Sequence, residues 1–215
     1  MTVTCFFGLS DTGHGGYDGG AVGSNHVVEK DINLSIALKL YDMLRINGFK
    51  AVLTRDSDIS LHDDDHASNR KKKNSDIMKR FAIAKSYDNA ILLSIHQNKF
   101  MRPKYFGAQV FYGPQNEESE RLGKIMQARM INMLNPENTR QSKKCTDSVY
   151  LVYNAPMPAL LIECGFLSNP EEERLLNTEE YQQKVAFTIF CGTMEYLGLE
   201  YQGEGGEASS SEQGT

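Results

Sequence analysis

The stretch VTCFFGLSDTGHGG, residues 3–16, marks the first strand of the fold and the turn that follows it. Residues 3–10 form a short apolar run, which predicts a buried β-strand. The next residues place one imidazole, His14, among neighbours with small or no side chains. Because glycine costs backbone entropy, this loop indicates a tight turn or the close approach of a ligand.

Segments of helical and strand-like character alternate after this loop. The spacing of Leu34, Leu38, Tyr41 and Leu44 or Arg45 predicts a helix that is capped by Asp31 and ended by Gly48. Three more helices are predicted around Ile77–Ala84, over 117–134 with Leu122, Ile125, Met126 and Met133 inward, and over about 179–197. The remaining strands are predicted at 50–55, 90–96, 108–113, 149–153 (VYLVY) and 159–163 (ALLIE), with a polar loop from 56 to about Asn74.

This alternation predicts an α/β fold, a single three-layer domain with a mostly parallel (mixed) central sheet of about six strands and helices on both faces. The chain of 215 residues is long enough for one such domain. We expect it to cover residues 1–198. The acidic, Gly/Ser-rich tail 199–215 has neither periodicity nor bulk, and we expect it to be disordered.

Composition excludes several classes of protein. The net charge of −5 argues against a nucleic-acid partner. No stretch approaches the roughly 20 apolar residues of a transmembrane segment, and the start lacks the basic region of a signal peptide. Export information has either been removed or the start is late.

The four cysteines fit no finger-type metal site, and Cys164 and Cys191 are expected to be buried. The basic run 70–73 indicates a solvated loop, with contact to an anionic polymer or membrane surface as the alternative.

Four side chains with metal-binding or acid–base chemistry are expected at one edge of the sheet. Ligands of parallel sheets bind beyond the carboxyl ends of the strands. His14 follows the first strand, His96 and Glu163 end two others, and Glu29 closes the glycine loop. Two imidazoles and a carboxylate are the usual ligands of a catalytic zinc. Taken alone, each histidine and Glu29 has an ordinary structural explanation, whereas a carboxylate buried in PALLIECGF is costly.

Other polar residues have weaker cases. His62 and His66 are spaced to hold a metal on a helix, but their acidic surroundings favour a mobile loop. His26 competes with Glu29 as a ligand or contacts substrate, although an exposed loop histidine is the simpler interpretation. Asn98 and Arg80 stand where they orient substrate or brace the site, and Arg80 equally pairs with a carboxylate on its own helix.

The order and spacing of several motifs carry a family resemblance. DTGHGG, GGAVG, VEKDINLSIALKL, LTRD, SIHQN, GAQVFY and PALLIECGFLSNPEE together resemble the zinc-dependent N-acetylmuramoyl-L-alanine amidases (the Amidase_3 family) from about Phe7 to Leu197. SNRKKKNSDIMKR, SIHQNKF and GAQVFYG are most similar to the sporulation and germination branch, which acts on spore cortex. Thr12 departs from the proline or alanine usual in this turn.

This resemblance implies a mechanism and a set of roles. His14, Glu29 and His96 would be the ligands of one Zn²⁺ per chain, Glu163 the catalytic glutamate, and Asn98 and Arg80 substrate-binding residues. The bond cut would be the amide between N-acetylmuramic acid and L-alanine in peptidoglycan, before a separate deacetylase helps form muramic δ-lactam. Expected partners are glycan strands with stem peptides and a regulatory lipoprotein, in the cell wall or spore envelope.

Two other functions remain open at this point. One is a catalytically silent peptidoglycan-binding or partner-regulated protein with the same fold. A buried, unpaired Glu163 argues against it, because such a group is costly to retain without a use. The other is a zinc peptidase that cuts within the stem peptide, which only its products would distinguish.

Overall fold

The computed structural model describes residues 7–199, and within them the chain forms six strands and six helices. The strands are β1 Phe7–Thr12, β2 Lys50–Leu53, β3 Ala90–Asn98, β4 Gln109–Tyr112, β5 Lys143–Lys144 and β6 Ala159–Phe166. The helices are α1 Glu29–Ile46, α2 Asn69–Lys85, α3 Glu118–Leu134, α4 Tyr150–Asn154, α5 Pro170–Leu176 and α6 Glu179–Tyr196.

The strands form one mixed sheet in the order β2-β1-β3-β6-β4-β5. Strands β1, β2, β3 and β6 run parallel to one another, whereas β4 pairs antiparallel with β6 and carries β5 parallel to itself. The predicted α/β fold with a mostly parallel, mixed sheet of about six strands is therefore confirmed.

Helices cover both faces of the sheet, because successive side chains of each strand point to opposite sides. Leu93 of β3 and Ile162 of β6 pack with α1, α3 and α6 in the larger core. Leu92 and Leu161, their neighbours in sequence, pack instead with Ala84 of α2 and with α4 in a second core. The sheet lies between the two cores, so the sheet and the helices on its two faces form the three predicted layers.

The first helix differs from its prediction in start and in phase. It begins at Glu29 and its N-cap is Val28, so the prediction of Asp31 as the cap is wrong. Its buried stripe is Ile32, Ile36, Leu40 and Leu44, while Leu34 and Leu38 are only partly buried. Positions four apart in a helix share one face, and these four residues form the face of α1 that is buried. Gly48 follows the helix with a φ of 83°, a conformation that favours glycine.

The predicted strand at 149–153 is wrong, because these residues form helix α4. Apolar runs of this length do not distinguish a strand from a buried helical turn. Here Leu151 and Val152 are used to cover the second core. The short helix α5 was not predicted, although Asn169 caps it with its side chain and Pro170 stands at its first turn.

The predicted polar loop up to Asn74 is too long, since α2 begins at Asn69. The basic run 70–73 therefore lies in the first turns of a helix and not in a loop. Strands β3 and β6 also extend two and three residues beyond their predicted ends.

The cysteines follow the prediction in part. Cys164 is buried as expected, Cys191 is partly exposed, and both are free thiols, as is Cys145.

None of the helices in residues 7–199 combines the length and the apolar character that a membrane crossing requires. Cys5 and the predicted tail, apart from Leu199, lie outside the described residues.

Candidate active site

The structure brings the four predicted residues together at the carboxyl ends of β1, β3 and β6. His14 follows β1 by two residues, and Glu29 is the first residue of α1. His96 and Glu163 are paired across β3 and β6 in the same register. The two strands continue to Asn98 and Phe166, so the prediction that His96 and Glu163 end their strands is wrong.

One ligand atom from each of His14, Glu29 and His96 lies within 4.8 Å of the others. Nε2 of His14 is 3.3 Å from Glu29 Oε2, and Nδ1 of His96 is 3.0 Å from Glu29 Oε1. Two imidazoles and one carboxylate in this arrangement match the donor set of catalytic zinc sites. In the part of the chain that the structure describes, no other group of three such residues is close enough to hold a metal.

The other histidines lie apart from this cluster. His62 contacts Ser60 and Asp65 in a non-helical segment, so the helical i, i+4 pair that a second metal site would need does not form with His66. His26 is exposed, as the simpler interpretation expected.

Glu29 is almost fully buried, and hydrogen bonds from neighbouring backbone amides hold its carboxylate in place. Its Oε2 accepts a hydrogen bond from the Ala21 amide at 2.8 Å, and its Oε1 accepts one from the Gln97 amide at 3.0 Å. Burial alone would raise the pKa of Glu29, but hydrogen bonds and charge interactions with His14 and His96 hold it well below its usual range. The carboxylate is therefore charged and preoriented.

His14 is surrounded by carboxylates. Its Nδ1 lies 2.9 Å from Asp18 Oδ2. Burial opposes protonation, yet Asp18 and Glu29 together raise the pKa of His14 to about 9. This local excess of negative charge attracts a cation. A carboxylate on Nδ1 also fixes the ring so that Nε2 is available for coordination, the arrangement found in metal-binding histidines. Asp18 was missed in the sequence, although it stands four residues after His14 in the same loop.

Glu163 differs from Glu29 in having no partner for one oxygen. Its Oε2 is buried without a hydrogen bond among the described residues. Burial raises the pKa of Glu163 to about 7, with His96 opposing and Glu29 adding to the effect. It lines a cavity of about 420 Å³ together with His14 and His96. A carboxyl group with a pKa near 7 beside a cation site is suited to accepting and returning a proton.

The glycines of the loop provide space for these side chains. A Cβ on Gly13 would lie 2.4 Å from the His96 ring, and a Cβ on Gly20 would lie 2.5 Å from Glu29 Oε2. His14 itself has a φ of 61°, which residues other than glycine seldom adopt. At Gly13 and Gly20, the His96, His14 and Glu29 side chains occupy the space where a side chain of the loop would be.

Two arginines hold the strained backbone of His14. Nη2 of Arg80 donates to the His14 carbonyl at 2.8 Å, and Nε of Arg55 donates to the same oxygen at 2.7 Å. Arg80 is 2% exposed and its other donors are directed to Asp11, Thr12, Thr54 and Asp76. These contacts favour the bracing role of Arg80 over contact with substrate. Arg55 was missed, since nothing in LTRD shows that it turns back to the loop.

Asn98 remains a prediction as a substrate-binding residue. It ends β3 two positions after His96 and is partly exposed, and its carbonyl accepts a hydrogen bond from Leu167. It is not among the residues that line the cavity.

Comparison with known proteins places this geometry in context. The family model described as Amidase_3, N-acetylmuramoyl-L-alanine amidase, matches residues 10–193. The germination-specific N-acetylmuramoyl-L-alanine amidase of Bacillus subtilis is 38% identical over 187 residues, which cover 87% of this chain and 78% of the relative. Amidase AmiA of Escherichia coli is 28% identical, with coverage of 87% and 74%.

Solved structures agree with these sequence matches. The CwlD amidase from Clostridioides difficile, determined in complex with the GerS lipoprotein, superposes with a TM-score of 0.87 at 38% identity, covering 91% of this chain and all of that one. Amidase AmiC2 of Nostoc punctiforme gives a TM-score of 0.77 at 28% identity, with coverage of 90% and 97%.

The closeness of Gly13 to the His96 ring predicts that a methyl group added at position 13 disturbs this ring. Gly13→Ala pushes the His96 ring away, so we expect zinc affinity to fall about 10–100-fold, the range typical of disturbed ligand orientation. Gly19→Ala is the control, because its Cβ would meet the Val28 side chain at 3.2 Å and none of His14, Glu29 and His96 within 4 Å. Isothermal titration with Zn²⁺ measures both variants, and equal affinities would contradict the steric role of Gly13.

The arginine contacts predict a separate effect on the metal site. Arg80→Lys keeps a charge beside Asp11 but loses the planar fork that reaches the carbonyls of Thr12 and His14. We expect zinc affinity to fall about tenfold or more and the free energy of unfolding to fall by about 1–3 kcal/mol. Arg70→Lys, on the exposed start of the same helix, should change neither zinc titration nor chemical denaturation. Unaltered zinc affinity in Arg80→Lys would exclude the bracing role.

Proposed function

The chain belongs to the Amidase_3 family of N-acetylmuramoyl-L-alanine amidases, and we propose that it cleaves peptidoglycan with zinc held by His14, Glu29 and His96 and with Glu163 as the catalytic acid–base. One observation carries the proposal: three metal-donor side chains within 4.8 Å of one another lie in the same cavity as a carboxyl group with an unpartnered oxygen. The catalytic domain would be residues 1–198.

The donor residues fit zinc. Two imidazole nitrogens and one carboxylate leave a fourth position for water or substrate, which is the composition of catalytic rather than structural zinc sites. The carboxylates of Glu29 and Asp18 supply the charge and the orientation that such a site needs. When bound, one zinc ion per chain would supply Lewis acidity, which lowers the pKa of water and polarises a carbonyl oxygen.

Glu163 would carry the proton through the reaction. Its carboxylate takes a proton from the water whose oxygen attacks the lactyl carbonyl carbon. The carbon–nitrogen bond to L-alanine then breaks, and Glu163 returns the proton to the departing amine. The orphaned Oε2 supports this role, because no protein donor competes for the oxygen. The products are a free stem peptide and a glycan strand that keeps its lactyl carboxylate.

The biological setting would be the spore cortex. Similarity to a germination-specific amidase and to CwlD supports this branch. There, removal of stem peptides would precede deacetylation and formation of muramic δ-lactam. A regulatory lipoprotein is a reasonable partner because the similar CwlD amidase was determined with one. The substrate implies action outside the cytoplasm, in the cell wall or spore envelope.

Digestion of purified peptidoglycan tests the activity and the metal together. The zinc-loaded protein should release stem peptides that begin at L-alanine, identified by mass spectrometry, and a chelator should abolish the release. Cleavage inside the stem peptide would identify a peptidase instead. Intact glycopeptide despite bound zinc would favour a binding protein or one that needs its partner.

Substitutions of Glu163 and His96 should separate the loss of turnover from the loss of metal binding. Glu163→Gln keeps the shape of the side chain, so zinc content and thermal unfolding should be unchanged while turnover falls at least about 10²–10⁴-fold. His96→Ala removes a donor, so zinc content and turnover should fall together. An active Glu163→Gln protein would disprove the acid–base role, and a zinc-replete His96→Ala protein would disprove the ligand assignment.

A further inference from the structure

The wall of the active-site cavity contributed by α2 carries a positive charge that the catalytic proposal leaves without a use. Lys73 and Asn74, in the second turn of α2, line the cavity together with His14 and Glu163. The side chain of Lys73 is 66% exposed. It belongs to the basic run 70–73, and of this run it is Lys73 that lines the cavity.

Lys73 is weakly held. Its Nζ lies 3.5 Å from Asp18 Oδ2, while the same oxygen is 2.9 Å from Nδ1 of His14. A long ion pair of an exposed lysine contributes little and is easily exchanged for another anion. Arg80, the other cation of the cavity lining, is buried and committed to Asp11, Asp76 and two backbone carbonyls. Among the described residues that line the cavity, Lys73 therefore has the ammonium that is available to a ligand.

Another part of the cavity lining is apolar. It consists of Tyr150 and Leu151 of α4, Leu161 of β6 and Ile77 of α2. These side chains offer no positive charge to an anion. A substrate with one charged and one uncharged half would therefore place the charged half against Lys73.

Peptidoglycan has this asymmetry. In an N-acetylated glycan the lactyl carboxyl group is used in the scissile amide, so the sugar half near that bond is uncharged, whereas the stem peptide bears carboxylates. The two contacts through Asp18, of 2.9 and 3.5 Å, place the Lys73 ammonium no more than about two residues of extended chain from Nδ1 of His14. A carboxylate on the second stem residue lies at a similar distance from the scissile amide.

We propose that Lys73 forms the peptide subsite of the cavity, pairing its ammonium with the stem-peptide carboxylate nearest to the scissile amide. The enzyme then prefers stems whose second residue keeps a free carboxylate over stems in which that group is a carboxamide. The preference rests on the proposed amidase reaction and specifies which substrate it favours. The charge of α2 thus acts on substrate choice, while zinc binding and proton transfer stay with the other residues.

Two synthetic muramyl peptides that differ only in this carboxylate or carboxamide test the subsite. The native protein should show a higher kcat/KM for the carboxylate form. In Lys73→Met the ratio of the two kcat/KM values should fall about two- to fivefold, mainly through KM. Higher ionic strength should reduce the preference of the native protein, because salt screens an exposed pair.

Lys71→Met is the matched control, since Lys71 is an exposed lysine of the same run that does not line the cavity. Its ratio should equal that of the native protein. An unchanged ratio in Lys73→Met would overturn the proposal. Loss of zinc together with equal loss on both peptides would also overturn it, because Lys73 would then act through Asp18 and His14.

Binding without turnover separates this inference from the function itself. In a Glu163→Gln background, calorimetry should give tighter binding of the carboxylate peptide, and Lys73→Met should remove the difference. A native protein that cleaves neither peptide while this difference in binding persists would contradict amidase activity of the protein acting alone and leave the subsite intact. Equal binding of both peptides would disprove the subsite even if the amidase is active.

Discussion

The buried ion pair between Asp11 and Arg80 is the contact on which the site depends. Arg80 Nη1 lies 2.9 Å from Asp11 Oδ1, and both side chains are 2% exposed. Asp11 also accepts hydrogen bonds from Thr54 after β2 and Ser94 of β3. One carboxylate of β1 therefore connects the end of β2 and the middle of β3 to α2. Burying two charges is costly unless their remaining donors and acceptors are satisfied, and here the network satisfies them.

This ion pair also determines where the functional groups stand. With Arg80 fixed beside Asp11, its other nitrogen reaches the carbonyl of His14, and Arg55 reaches the same oxygen from the end of β2. The left-handed backbone of His14 is kept in place by these charged donors. The proposed metal ligand His14 is thereby fixed on a loop by hydrogen bonds to its carbonyl, whereas His96 is fixed as part of β3. Rigid placement matters because zinc affinity depends on ligand orientation.

The charges of the cavity are divided by function. Glu29 and Asp18 are fixed carboxylates that favour a cation, and Glu163 is a carboxyl group whose burial leaves it able to exchange a proton. Lys73 stands on the exposed side, where a weak pair is easily replaced by a ligand. In the proposed reaction, the same cavity thus offers a cation site, a proton carrier and an anion contact in separate positions.

The fold class and four of the site residues were predicted from sequence because both depend on short-range patterns. Alternation of apolar strands with amphipathic helices determined the layered sheet. His14 and Glu29 lie after β1, and His96 and Glu163 lie near the carboxyl ends of β3 and β6, which meet at one edge of the sheet. The run VYLVY was misassigned because its apolar residues suit a strand and a buried helical turn equally well. Its burial against α2 decides between them.

What the sequence determined by itself is the set of chemical groups and the order of the elements that carry them. Only the tertiary structure decided that Arg80 braces a backbone, that Arg55 and Asp18 support His14, and that Lys73 faces the cavity. These contacts join residues far apart in the chain or on opposite sides of a turn. The energy of these contacts depends on distance and burial, and the spacing of residues along the sequence specifies neither of them.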